Sequence, residues 1–219
     1  ATRQITGCTT TGTLTLGLSG QNLNNPASVH VGSASVPCQV TASSATQLTC
    51  TMAATALWGS GTAGNKDGHI IDVIGSTGKS SLQADQPIRP KLDFAAPMVL
   101  AVTGDMDSAG GKSITVAGNH FGPHPSSITV TIEGTPSAPL TGTEVTWGSD
   151  TEITFTSPAL AGTGLAKDLD LTVMAGQLSH TKQNLFTYTA PTLTRINLLA
   201  QEPDATQGRI PVTVYGAGL

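Results

Sequence analysis

A few residues of this chain have types and spacings that could do chemistry. Gly75-Ser76-Thr77-Gly78-Lys79-Ser80 and Gly110-Gly111-Lys112-Ser113 both end like a phosphate-binding loop. That mechanism needs a glycine five residues before the Gly-Lys pair, where Val73 and Met106 stand, and a helix afterwards, which neither segment predicts. Both read as hairpin turns. Asp105-Met106-Asp107-Ser108 offers the alternating oxygens that a hard cation such as Ca²⁺ takes, but no distal Glu completes a loop. Asp105 and Asp107 are the metal candidates, and an ordinary Asp/Ser turn is the preferred reading. His120 and His124 are four apart, yet Gly122, Pro123 and Pro125 exclude the helix that would align them, so they read as solvated loop residues. Trp58 lies in an irregular stretch, Leu57 to Gly64, and could stack on a sugar ring; Trp147 falls in a strand pattern and reads as core. No Gly-x-Ser-x-Gly elbow, Cys-x-x-Cys or His-Glu-x-x-His occurs, and the 14 carboxylates show no acid–base pairing. The expectation is a non-enzyme without cofactor.

The elements that carry these residues repeat. Leu18-Ser19-Gly20-Gln21-Asn22-Leu23, Val116-Ala117-Gly118-Asn119-His120-Phe121 and Val214-Tyr215-Gly216-Ala217-Gly218-Leu219 align without gaps, their first glycines 98 residues apart. Each follows apolar residues alternating at period two, the mark of a half-buried strand. Phe94-Ala95-Ala96-Pro97 likewise matches Tyr188-Thr189-Ala190-Pro191, each ahead of a new apolar strand. Alternation recurs at 28–31, 47–52, 70–74, 128–132, 152–156 and 169–173. A repeat of about 95 residues is the size of one sandwich domain. The expected organisation is all-β: a sandwich over 1–93, a second over 94–191, and in 192–219 either the opening strands of a third or an intermolecular strand. Phe94, Pro97, Tyr188 and Pro191 mark junctions too short to be linkers, and the prolines stop sheet pairing from running through them.

These motifs resemble the IPT/TIG domains, immunoglobulin-like folds of plexins, surface receptors and some transcription factors. The resemblance rests on Gly118-Asn119-His120-Phe121, on Val29-His30-Val31-Gly32 leading to Cys38, on Thr46-Gln47-Leu48-Thr49-Cys50-Thr51 and Thr151-Glu152-Ile153-Thr154-Phe155-Thr156-Ser157-Pro158, and on Phe186-Thr187-Tyr188-Thr189-Ala190-Pro191. It implies tandem immunoglobulin-like β-sandwiches, with Cys38 and Cys50 on strands the family pairs across a hairpin. A disulfide between them is the preferred reading, two buried thiols the alternative. The second repeat lacks the cysteine pair, and the first keeps only Phe94 of the closing Phe–Tyr pair. Cys8 is odd in number: a buried small apolar residue, or a thiol bonded to another molecule or blocked.

Composition bounds the rest. Charged residues are 11%, against roughly 25% in ordinary soluble domains. Hydroxyls and amides must therefore face water. The formal charge of −4 and the scattered basic residues argue against nucleic acid, and no apolar run is long enough to cross a membrane. A disulfide would imply an oxidising compartment. Thr135, Ser137, Thr141 and Thr143 lie in a hydroxyl- and proline-rich stretch suited to O-glycosylation. The leading expectation is an extracellular, cell-surface structural or adhesive protein, part of a rod-like ectodomain or a filament subunit assembling head to tail. Its partners would then be copies of itself, or other surface proteins and glycans. Ile210, Val212, Val214 and Leu219 are candidates for a strand that pairs with a neighbour unless the polypeptide continues. The alternative is a carbohydrate-binding accessory module using Trp58.

Overall fold

The computed structural model describes residues 4–33, 35–58, 67–81, 90–106, 109–123, 128–132, 144–159, 168–189, 192–198 and 212–217. The period-two segments become strands. β1 (Gln4–Cys8), β2 (Thr13–Ser19), β3 (Pro26–Val31), β4 (Val36–Ser43), β5 (Gln47–Ala53), a helical turn α1 (Ala54–Leu57), β6 (His69–Gly75) and β7 (Lys91–Phe94) form an N-terminal sandwich. Its strands are hydrogen-bonded in the order β1-β7-β6-β3-β4-β5-β2. The ladder folds on itself at β4, which pairs with β3 through Val36, Pro37 and Cys38 and then with β5 from Gln39 onward. Cys38 and Cys50 are disulfide-bonded at this corner, Cα atoms 5.6 Å apart. Cys50 lies opposite Val40 on one side and Leu16 on the other, so the bond fastens the strand that changes layers.

β8 (Met98–Thr103), β9 (Ser113–Asn119), β10 (Ile128–Ile132), β11 (Val145–Ser149), β12 (Glu152–Thr156), β13 (Leu169–Ala175) and β14 (Leu178–Phe186) form a C-terminal sandwich. One sheet is β11-β12-β9-β8 and the other β10-β13-β14. Their inner faces alternate buried residues: Ile114 and Val116, Ile128, Val130 and Ile132, Ile153 and Phe155, Leu171 and Val173. Each such side chain contributes about 1.5–3 kcal/mol relative to exposure. The aliphatic bias of the sequence is thus the core itself. A last hairpin joins β15 (Thr192–Leu198) to β16 (Val212–Ala217).

The repeated glycines occupy equivalent places. Gly20 N–H donates to Thr46 O (3.0 Å) and Leu23 N–H to Ala45 O (3.2 Å); Gly118 N–H donates to Thr151 O (2.9 Å) and Phe121 N–H to Asp150 O (2.9 Å). Between them Asn22 and His120 adopt the same left-handed conformation, φ 59° and 61°. The segment expected as a hairpin turn after β6 is one: Gly78 N–H donates to Gly75 O (2.9 Å), and Ser80 bridges back to Ile74.

Candidate functional site

The described residues converge most densely where the two sandwiches meet, at the junction that Phe94 and Pro97 mark in the sequence, through contacts that no motif indicated. Trp58 follows α1 and is 6% exposed. Its ring packs against Phe94, centroids 5.5 Å apart, and Phe94 meets His69 edge-on at the same distance. From the C-terminal sandwich Gly122 comes against the indole, so close that a methyl there would lie 3.2 Å from Cζ3. Gly122 has φ +86°, donates its N–H to the Asp150 carboxylate (2.8 Å) and accepts the Trp147 indole N–H (2.9 Å). The same Asp150 oxygen accepts the hydroxyl of Thr10, a fully buried residue of the N-terminal sandwich. Ala175 and Leu178, at the β13–β14 turn, pack with the N-terminal core. Between Phe94 at the end of β7 and Met98 at the start of β8 only three residues intervene, the last of them Pro97.

The joint also buries polar atoms. Trp58 Nε1, His69 Nε2 and His120 Nδ1 have no hydrogen-bond partner among the described residues. Burial pushes the His69 pKa below the ordinary histidine value, while the Asp93 carboxylate works the other way. Cys8 is a free, half-buried thiol. Burial pushes its pKa up and the negative charge of Asp93 adds to this, so the reactive thiolate is disfavoured.

The other candidates scatter. Buried against Phe94 and Gly122, Trp58 is no open platform, and its expected role in stacking on sugar is corrected: the indole serves the joint. Trp147 is half-buried on β11. Asp105 is exposed after β8 while Asp107 lies outside the described residues, among which no three potential metal ligands cluster. Tyr188 is buried and donates its hydroxyl to Pro158 O (3.0 Å). Pro191, Ile210, Leu219, His124 and the Thr135, Ser137, Thr141 and Thr143 stretch lie outside the described residues. No described helix is long and apolar enough to cross a membrane.

Val212 and Val214 lie on the terminal hairpin, which reproduces β8–β9. Leu193 pairs with Gly216 as Val99 does with Gly118, Ile196 with Val214 as Val102 with Val116, and both hairpins carry the register shift at the same step. Leu193, Ile196, Val212 and Val214 share one face and are 57, 55, 48 and 46% exposed. The opposite face is polar, with Arg195 stacked 4.6 Å over the Tyr215 ring.

Residues 101–188 match the IPT/TIG domain family. No curated protein matches the chain. Among solved structures, one of the full plexin A4 extracellular region is similar over 87% of the chain at 18% identity (TM-score 0.37). A second, showing domains 1 to 8 of that region, is similar over 84% at 17% identity (TM-score 0.36). The chain covers 15% and 17% of those proteins.

Proposed function

We propose that this chain is a non-catalytic extracellular structural module, two tandem IPT/TIG-type sandwiches over 1–93 and 94–191 followed by the start of a third or an intermolecular strand over 192–219. It works as a stiff element of a surface ectodomain or of a filament whose subunits assemble head to tail. One observation carries this reading: the joint is a packed interior, with Trp58 against Gly122, Thr10 bonded to Asp150, and Ala175 set in the neighbouring core. Default interdomain contacts are polar and allow motion, whereas a spacer or fibre must transmit force through the joint without bending. The disulfide and the hydroxyl-rich, charge-poor composition favour an oxidising exterior. The β15–β16 hairpin reproduces β8–β9, and its apolar face suits either the rest of a third sandwich or a neighbouring copy.

Electron microscopy of the native material tests this reading. Continuous fibres are expected, and a variant lacking 192–219 forms none. Fibres of unchanged length from that variant reject the role of the hairpin, and exclusively monomeric particles reject head-to-tail assembly.

A further inference from the structure

The outer face of the N-terminal sandwich carries a hydroxyl bonded to an imidazole. Ser28 and His30 are two apart on β3 and so share a face, both half-buried and within reach of solvent. His30 Nδ1 lies 3.0 Å from the Ser35 carbonyl oxygen, and Nε2 lies 3.0 Å from Ser28 Oγ. A carbonyl only accepts, so Nδ1 carries the proton. In the neutral ring Nε2 is then the bare nitrogen, and the Ser28 hydroxyl donates to it. Across the β3–β6 pair Asp72 stands opposite His30 on the same face. Its carboxylate accepts the hydroxyls of Ser80 (2.7 Å) and Ser81 (3.0 Å). A nucleophile, a base and a group that orients the base are thus in contact.

The fold does not ask for these residues. β10 and β13 hold the same places in the C-terminal sandwich: Val130 pairs with Val173 and Ile132 with Leu171, as Val29 pairs with Val73 and Val31 with Ile71. Ser28, His30 and Asp72 correspond there to Thr129, Thr131 and Thr172, and Thr172 is hydrogen-bonded to Thr181 on the next strand (2.8 Å). Threonines suffice to build this outer face, so an imidazole and a carboxylate beside a serine are additions to it. The sheet is also open next to Ser28. β4 pairs with β3 only from Val36 to Cys38 and turns to β5 from Gln39, so the last paired residue of β3 on that side is Val29. An approaching group meets no described strand there.

We propose that Ser28 is a nucleophile that accepts an acyl group from an activated carboxylic ester, with His30 as its base. The Ser28 Oγ lone pair forms a bond to the ester carbonyl carbon while its proton passes to His30 Nε2. The bond from that carbon to the leaving oxygen then breaks, and the leaving oxygen takes the proton from Nε2. The products are an acyl-Ser28 ester and a free alcohol, with the imidazole restored. The Ser35 carbonyl keeps the ring turned, and the negative Asp72 on the same face offsets the positive charge that the ring carries in between. The transfer occurs once per chain and places a modification on the N-terminal sandwich. It goes beyond the structural role above and is independent of how chains assemble.

The test is labelling of the full-length chain by a fluorophosphonate and by p-nitrophenyl acetate, with the modified residue located by peptide mass spectrometry. Ser28 should take the phosphonyl group faster than Ser179, an exposed strand serine. His30→Gln keeps an acceptor for Ser28 and a donor for the Ser35 carbonyl but cannot take up a proton. It should slow labelling of Ser28 by about a hundredfold, the lower end of what a positioned base supplies, while the melting curve of the sandwiches holds. His30→Thr, which copies the C-terminal sandwich, should slow it alike. From p-nitrophenyl acetate the natural chain should gain acetyl on Ser28 and release nitrophenolate above the background of Ser28→Ala. Labelling of Ser28 no faster than of Ser179, or undiminished in both His30 variants, overturns the nucleophile and leaves the structural role standing. Phosphonyl without acetyl on Ser28 overturns the acyl ester as its donor.

Discussion

Gly118→Ala and Gly20→Ala are the same substitution at equivalent turns, and their costs should differ widely. Neither glycine has positive φ, so the backbone tolerates alanine at both. At Gly118 the new methyl enters the space of the Met98 carbonyl oxygen and the Phe121 ring, with Cε1 at 3.0 Å. Phe121 is fully buried and the carbonyl belongs to a paired strand, so neither can yield alone. Overpacking of this kind costs about 1–3 kcal/mol. Displacing β8 weakens about two ladder bonds, each contributing about 1 kcal/mol when intact. The total is about 2–4 kcal/mol. At Gly20 the neighbour is a partly exposed leucine terminus that can rotate, while the gain from a less flexible unfolded chain is about 0.4–1 kcal/mol. Gly20→Ala should therefore be neutral within about 0.5 kcal/mol. For a sandwich of this size 1 kcal/mol moves Tm by about 4–8 °C, so calorimetry separates a drop of about 10 °C or more from no change. Equal drops would refute the claim that β8 makes the difference between the two turns.

Four further outcomes follow from the same contacts. Reducing Cys38–Cys50 releases a constraint on a short loop and should cost the N-terminal sandwich about 2.5–3 kcal/mol, seen as a lower midpoint in urea with dithiothreitol. Trp58→Ala should cost about 3–5 kcal/mol and speed amide exchange on both sides of the joint, at Phe94 and at Gly122; exchange confined to the N-terminal side would show that the indole does not connect the two. Acid should weaken the N-terminal sandwich through His69. Its folded pKa lies below the unfolded value, so the folded state binds fewer protons. The stability it supports is present above about pH 6.5 and is lost as pH falls through the folded pKa. Urea midpoints at pH 7.5 and 5 should converge in His69→Leu relative to the natural chain. Mass spectrometry of the peptide containing Thr135–Thr143 from native material should find hexose; an unmodified peptide removes O-glycosylation.

The strands and the equivalence of Gly20 with Gly118 were legible because each is a local matter: alternation reports one face, and a turn that must clear an aromatic or leucine three residues on keeps its glycine. The Cys38–Cys50 bond came with the family resemblance, since nothing in a spacing of twelve says that β4 changes sheets between the two. The place of the joint was marked by Phe94 and Pro97, but the contacts across it were hidden. Thr10 and Asp150 are 140 residues apart and each reads as a turn residue, and Trp58 in an irregular stretch looks as much like a surface platform as like a wedge. Periodicity describes a strand's relation to its own core. It is silent about what reaches across from the next one.

That silence bears on the hairpin. The apolar alternation of Leu193, Ile196, Val212 and Val214 is as strong as that of Val99, Val102, Ile114 and Val116, yet one set is half exposed and the other mostly buried. Pattern alone therefore specifies a face that requires a cover, as β10 and β13 cover the equivalent face of β8–β9. A face copied from a buried one carries the demand of the original: an opposing sheet, supplied by later strands of the same sandwich or by a neighbour.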